Sequence, residues 1–235
     1  MDRARWGRML KRAILFDVDG TLVDSNDAHV DAWQRAFAAE GYMFSRAQIH
    51  AQVGKGADNF VPSLLSHAPD DIQERLDRAR GEIYRRDYLP RVEPFAGAKQ
   101  ILRSLVKRGH TLVLASSASR KEVAHYVELL DADGLLSGTT SSDDVASSKP
   151  CPDIFAAALE LTGCSAESAV VIGDTPYDIT AARRAGIDAI AVLSGGFDED
   201  ELRSCRPVAI YRDVAELNAN YLSSPLSDAQ LAGAT

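Results

Sequence analysis

Asp17 and Asp19 stand one residue apart at the end of the apolar run Ala13-Ile14-Leu15-Phe16, and Gly20-Thr21 follows them. Alternate residues of a strand point to the same side, so this spacing aims both carboxylates at one spot. Carboxylates held that close repel each other unless one keeps its proton or a cation sits between them. Hard oxygen ligands favour Mg²⁺. The chemistry suggested is a magnesium-dependent site with an aspartate nucleophile. Further polar groups follow other apolar runs: Ser116-Ser117 after Thr111–Ala115, and Asp174 after Ala169–Gly173, with Asp178 one helical turn beyond. Lys149-Pro150 lies in a polar loop between them.

The elements that must position these groups can be read from periodicity. A short apolar run ending in turn chemistry reads as a buried parallel strand, and open α/β sheets place ligands beyond the carboxyl ends of such strands. Strands are expected at 13–16, 111–115, near 139, at 169–173, at 189–193 and, as an edge strand, at 208–211. Helical patterns cover 98–108, 121–130, 154–161 and 179–185. This alternation predicts an α/β fold with a Rossmann-like, doubly wound parallel sheet. Between Asp24 and Glu93 the pattern is helical throughout, with segments at 29–39, 45–53, 59–65 and 70–88 and Ser45 as an N-cap. Residues 24–93 therefore read as an inserted α-helical cap domain whose narrow apolar faces lean on the core formed by 1–23 and 94–221. The basic first dozen residues read as a loose arm. Residues 222–235, without periodicity, read as a disordered tail.

Composition bounds the function. The 235 residues are 46% hydrophobic and 26% charged, enough for a core domain with a smaller insertion. The formal net charge of −8 argues against a nucleic-acid partner, because phosphate contacts need concentrated Lys and Arg. No apolar run approaches the ~18 residues of a membrane span, so no membrane partner is expected. The N-terminal stretch lacks the apolar centre of a secretory signal. Cys151, Cys164 and Cys205 have neither zinc spacing nor a CxxC pair and read as reduced thiols of a cytoplasmic protein.

Four motifs in order resemble those of the haloacid dehalogenase-like hydrolase superfamily, with the helical cap inserted after the first: Asp17-Val18-Asp19-Gly20-Thr21, Ser116 after its strand, Lys149-Pro150, and Gly173-Asp174-Thr175-Pro176-Tyr177-Asp178. The resemblance covers about residues 13–211 and points to the phosphoglycolate phosphatase and β-phosphoglucomutase branches. It implies that Asp17 attacks phosphorus to form an aspartyl-phosphate and that Asp19 serves as acid and then base. Ser116 and Lys149 complete the catalytic set, while Gly20, Thr21 and Ser117 contact the substrate. Mg²⁺ is implied as the cofactor, held by an Asp17 oxygen, the Asp19 carbonyl and Asp174, with Asp178 orienting Asp174 or a water. Asp19 followed by Gly-Thr points to phosphoryl transfer, since the dehalogenase branch needs no acid there. His29 and Lys55-Gly56 lie where β-phosphoglucomutases touch the second aspartate and the substrate. The likeness to the mutases breaks at Asn59, where they carry a phosphate-gripping arginine, and at Gly173, where they carry an acidic residue. The expectation is thus a phosphatase acting on a small phosphorylated metabolite. Two alternatives are a sugar-phosphate mutase and a non-catalytic phospho-regulatory module. Residues 54–58 admit phosphoglycolate, a sugar phosphate or a nucleotide as substrate.

Overall fold

The protein is represented by a computed structural model that describes residues 12–227. The expected arm before Arg12 and the end of the expected tail, 228–235, lie outside the described residues. The first strand, β1 (Ala13–Phe16), is buried along its whole length, as a continuous apolar run requires at the centre of a parallel sheet. It lies between β4 (Thr111–Ala115) and β6 (Ala169–Gly173), and both pairings are parallel. The sheet is extended by β5 (Gly138–Thr140) beside β4, and by β7 (Asp188–Val192) and the edge strand β8 (Ala209–Tyr211) beside β6. The order β5-β4-β1-β6-β7-β8 is all parallel.

Register does the positioning. Phe16 is paired with both Leu114 and Ile172, so β1, β4 and β6 end level with one another and Asp17, Ser116 and Asp174 emerge on one rim. Alternation along the strands supplies two cores. Ile14, Phe16, Leu112, Leu114, Val170 and Ile172 face a layer that includes α5 (Ala98–Lys107), α6 (Arg120–Leu129) and α10 (Val214–Ala219). Leu15, Val113, Ala115 and Val171 face α7 (Asp153–Glu160), α8 (Pro176–Arg184) and α9 (Glu199–Ser204).

The chain leaves this core through β2 (Val23–Asp24) and re-enters through β3 (Glu93–Pro94), which pair antiparallel with each other. Between them lie α1 (Asn26–Ala39), α2 (Arg46–His50), α3 (Ala57–Leu64) and α4 (Asp70–Asp87). These helices own an apolar cluster of Val30, Trp33, Phe37, Ile49, Phe60 and Leu76, with Trp33 stacked on Phe60 at 4.2 Å between ring centres. The inserted helices are therefore less dependent on the sheet for burial than their narrow periodic stripes suggest. Ser45 caps α2 in a reciprocal pair with Gln48, as expected.

The tail expectation needs correction at its start. Tyr221–Ser223 form a 3-10 turn, and Leu226 is 1% exposed within the first core. Ser224 fixes the turn, donating to the Tyr221 carbonyl at 2.7 Å and accepting from the Leu226 N–H at 3.2 Å. One buried leucine anchors the segment; Leu222 beside it is exposed, and two leucines in a Ser-rich stretch do not make a periodic pattern.

Candidate active site

Asp17 leaves β1 with its N–H bonded to the Ile172 carbonyl at 2.9 Å, which fixes its backbone to the rim of the sheet. Its Oδ1 accepts from Lys149 Nζ at 2.5 Å, and its Oδ2 lies 3.2 Å from the Thr21 hydroxyl. The same hydroxyl is 3.0 Å from Asp174 Oδ1, so Thr21 sits between the two carboxylates. Asn26, at the start of α1, donates to Asp174 Oδ2 at 2.9 Å and to the Gly195 carbonyl at 3.0 Å. Lys149 is fully buried and is steadied by the Ala115 carbonyl at 3.2 Å. Asp178 Oδ1 lies 2.8 Å from Lys149 Nζ, an ion pair outside hydrogen-bond angles. Its Oδ2 accepts from the Thr175 N–H and hydroxyl at 3.0 and 2.6 Å, closing a capping box that starts α8 at Pro176, earlier than the expected 179. Asp178 was expected to orient Asp174 or a water; in the structure its free oxygen steadies Lys149.

The donor set fits a divalent cation. Asp17, Asp174 and Asp178 are buried, and each offers an oxygen within 4.8 Å of the others. Only Lys149 contacts this acidic group as a cation among the described residues. Burial pushes the Asp17 carboxyl up to about 7; Lys149 opposes the rise, and the Asp178 and Asp19 charges add to it. Burial, then the charges of Asp17 and Asp178, likewise raise Asp174 well above the usual carboxylate range. A hard cation with oxygen ligands relieves that repulsion. The packing leaves space for the Asp174 carboxylate at two glycines: a Cβ on Gly20 or Gly195 would stand 2.2 or 1.6 Å from Asp174 Oδ2. Asn26 Oδ1, beside them, is buried without a hydrogen-bond partner among the described residues.

Asp19 occupies a different environment only two residues away. Its Oδ1 accepts from Ser25 Oγ at 2.6 Å and Tyr126 OH at 2.7 Å, and His29 Nε2 lies 2.9 Å from it. Its Oδ2 accepts from Ser116 Oγ at 3.3 Å. Burial pushes this carboxyl up, but His29, Ser25 and Tyr126 together outweigh it and hold Asp19 below the usual range. Tyr126 spends its proton on Asp19, so the Tyr84 hydroxyl, 2.6 Å away, donates to Tyr126. The His29 ring stacks on Tyr84 at 3.9 Å. Asp19 is thereby tied to both the sheet layer and α4.

A small cavity of about 40 Å³ lies between the inserted helices and the rim, bordered by Asp17, Asp19 and Ser117 from below and by His29, Lys55 and Arg80 from above. Ser117 also donates to the Gly54 carbonyl at 3.1 Å. Lys55 donates to Gln52 Oε1 at 2.6 Å and Ser63 Oγ at 2.8 Å, and burial lowers its pKa. Gly56 is not on the cavity: its N–H donates to Ser148 Oγ at 2.9 Å, on the seam between the inserted helices and the sheet domain. Asn59 donates to Ser148 O and Oγ, both at 3.1 Å. The structure thus gathers Asp17, Asp19, Thr21, Ser116, Lys149, Asp174 and Asp178 with His29 and Lys55 nearby. Sequence reasoning missed Ser25, Asn26, Arg80, Tyr84 and Tyr126. Asn26 alone left a signal, a polar residue on the apolar stripe of α1.

The haloacid dehalogenase-like hydrolase family model matches residues 14–192. The chain is 27% identical over 237 residues to a phosphoglycolate phosphatase from Rhodospirillum rubrum, covering 96% of this chain and 97% of that protein. It is 27% identical over 206 residues to the pyrophosphatase PpaX of Oceanobacillus iheyensis, covering 88% and 94%. Among solved structures, a hydrolase from Pseudomonas syringae is similar at a TM-score of 0.85 and 31% identity, covering 91% of this chain and 98% of that one.

Proposed function

The chain belongs to the haloacid dehalogenase-like hydrolase family, and we propose that it is a Mg²⁺-dependent phosphatase that hydrolyses a small phosphomonoester through an aspartyl-phosphate on Asp17. The observation that carries this reading is the division of labour between two neighbouring aspartates. Asp17 faces Lys149 within a buried carboxylate cluster, while Asp19 is turned onto its own donors, Ser25, His29, Tyr126 and Ser116.

Asp17 attacks phosphorus as the bond to the leaving oxygen breaks, and Asp19 donates a proton to that oxygen. Asp19 then removes a proton from water, which attacks phosphorus while the Asp17–phosphorus bond breaks, and phosphate departs. Lys149 offsets the charge of the nucleophile and of the arriving phosphate. Asp17 and Asp174 would hold Mg²⁺, with the Asp19 carbonyl as the resemblance implies, and Asp178 keeps Lys149 in place beside them. When bound, the cation supplies positive charge against the phosphoryl oxygens. The hydrogen bonds on Asp19 keep its carboxyl away from the carboxylate cluster and free to exchange protons.

Hydrolysis is favoured over mutase chemistry by Asn59. The mutases place a phosphate-gripping arginine at this position, whereas Asn59 is spent on Ser148 at the seam. The test is phosphate release from a panel of small phosphomonoesters, with phosphoglycolate and pyrophosphate included, with and without Mg²⁺ and a bisphosphate activator. Mg²⁺-dependent release that Asp17→Asn abolishes is the expected result. No release from any member would overturn the reading, and isomerisation of a sugar phosphate that a bisphosphate activates, with little net release of phosphate, would favour the mutase.

A further inference from the structure

Arg80 is the cation of the cavity that no motif announces. It lies on α4 with its side chain 14% exposed, and it borders the same space as Asp17, Asp19 and Trp33. A guanidinium carries five N–H donors in a rigid planar fork. One of them reaches Asp77 Oδ1 at 2.9 Å. Glu122 Oε1, at 3.9 Å, is an ion-pair partner beyond hydrogen-bond reach, and Arg85 shares it at 3.6 Å. The buried Nε has no partner among the described residues. The guanidinium sits 5.3 Å from the Trp33 ring centre, a contact that restrains the fork. Lys55, the other lysine or arginine on the cavity, has already committed two of its three donors to Gln52 and Ser63.

We propose that Arg80 determines specificity by binding a carboxylate on the leaving group, so that the substrates are short phosphorylated hydroxy acids. This rests on the phosphatase reading. The open donors of Arg80 match a planar carboxylate, which an arginine can grip with two parallel hydrogen bonds. The placement matches too: the cavity that Arg80 borders is also bordered by Asp17 and Asp19, so a short ester with its phosphoryl group at Asp17 extends its leaving group towards the fork. Glu122 takes no hydrogen bond from the fork: its Oε2 accepts from the Ser119 N–H and hydroxyl, both at 2.8 Å, and its Oε1, 3.9 Å from Arg80, has no hydrogen-bond partner among the described residues.

The test compares kcat/KM for phosphoglycolate with that for its neutral isostere, the corresponding amide. The native enzyme should prefer the acid by roughly ten- to a hundredfold, the size of a charge-assisted hydrogen bond. Arg80→Gln should bring that ratio close to one, and Arg80→Lys should recover part of it. Asp77→Asn alters a half-exposed partner, so it preserves the fold independently of the Arg80 variants, and it removes the negative charge that competes for one donor; the preference should hold or grow. Equal turnover of acid and amide by the native enzyme, an unchanged ratio in Arg80→Gln, or a smaller ratio in Asp77→Asn would each overturn the assignment while leaving the phosphatase reading intact. A preference for ethylene bisphosphate over phosphoglycolate would overturn the carboxylate class. Absence of turnover on both acid and amide, with release from other members of the panel, would overturn the carboxylate class alone, whereas absence of release from the whole panel would overturn both readings.

Discussion

Stripping divalent cations should make the stability of this protein fall as pH rises from about 4 to about 7, and restoring Mg²⁺ should remove most of that fall. The Asp17 carboxyl moves from 3.8 to about 7 on folding, chiefly through burial. Its folded-state value lies above its unfolded one, so within this window the native state holds a proton that the unfolded chain has released. The contribution is complete below the unfolded value and is lost as pH climbs through the folded one. At 1.36 kcal/mol per unit, the shift amounts to about 4 kcal/mol, and Asp174, raised by the same surroundings, adds to it. Asp19 is shifted the opposite way, so its contribution is lost only on acidification below the usual carboxylate range. For a chain of this size, about 4 kcal/mol corresponds to roughly 10 °C in Tm. Thermal unfolding followed by circular dichroism across this range, in chelator and in Mg²⁺, measures the effect. Asp17→Asn cannot ionise there, so without metal it should be more stable than the native protein above neutral pH and should show a shallower slope. A flat metal-free profile in the native protein, or an equally steep one in Asp17→Asn, would refute the charge assignment.

Lys149→Met should eliminate turnover and cost about 3–5 kcal/mol at neutral pH, because two buried carboxylates lose their cation; urea unfolding that matches the native protein would contradict this. Tyr126→Phe removes one donor from the charged Asp19, a bond of about 1.5–3 kcal/mol, and should lower kcat roughly tenfold or more with little change in KM. Steady-state kinetics in which KM alone rises would place Tyr126 in substrate binding. Leu226→Ala should cost about 2–5 kcal/mol in chemical denaturation, as expected for a buried leucine, whereas a change within error would show that the segment is not anchored.

The strand ends were legible because each apolar run stops at a polar group, and parallel pairing leaves those stops level. Asp17, Ser116 and Asp174 could be placed together from that alone. Asp178 is singled out by the sequence, but its contact is not: Thr175-Pro176-Tyr177-Asp178 is itself a helix start, with Pro at the first turn, so one carboxylate both caps α8 and pairs with Lys149. Tyr84, Tyr126 and Arg80 were hidden for a common reason. In a helical pattern, a residue facing a site and one facing the core have the same spacing. Only the packing of α4 and α6 around Asp19 distinguishes them, and that packing comes from residues over a hundred positions apart from Asp19 in the case of Tyr126. The stacking of Trp33 on Phe60 joins two helices whose separate patterns do not specify each other.

The two aspartates explain why so many polar groups surround one strand end. Before ligands arrive, Asp17 is drawn towards its neutral form and Asp19 towards its ionised form. The proposed chemistry needs the reverse: an ionised nucleophile and a protonated acid. A cation against Asp17 and Asp174 lowers the first carboxyl, and a phosphate dianion beside Asp19 raises the second. Neither correction alone is sufficient. A bound cation would leave the leaving oxygen without a proton, and a bound phosphate ester would leave the nucleophile repelled. Thr21 and Asn26 hold the Asp17–Asp174 side, while Ser25, His29 and Tyr126 hold the Asp19 side, with few bonds shared between them. The separation of these hydrogen-bond sets lets carboxylates two residues apart respond to different ligands, so reactivity depends on the presence of both.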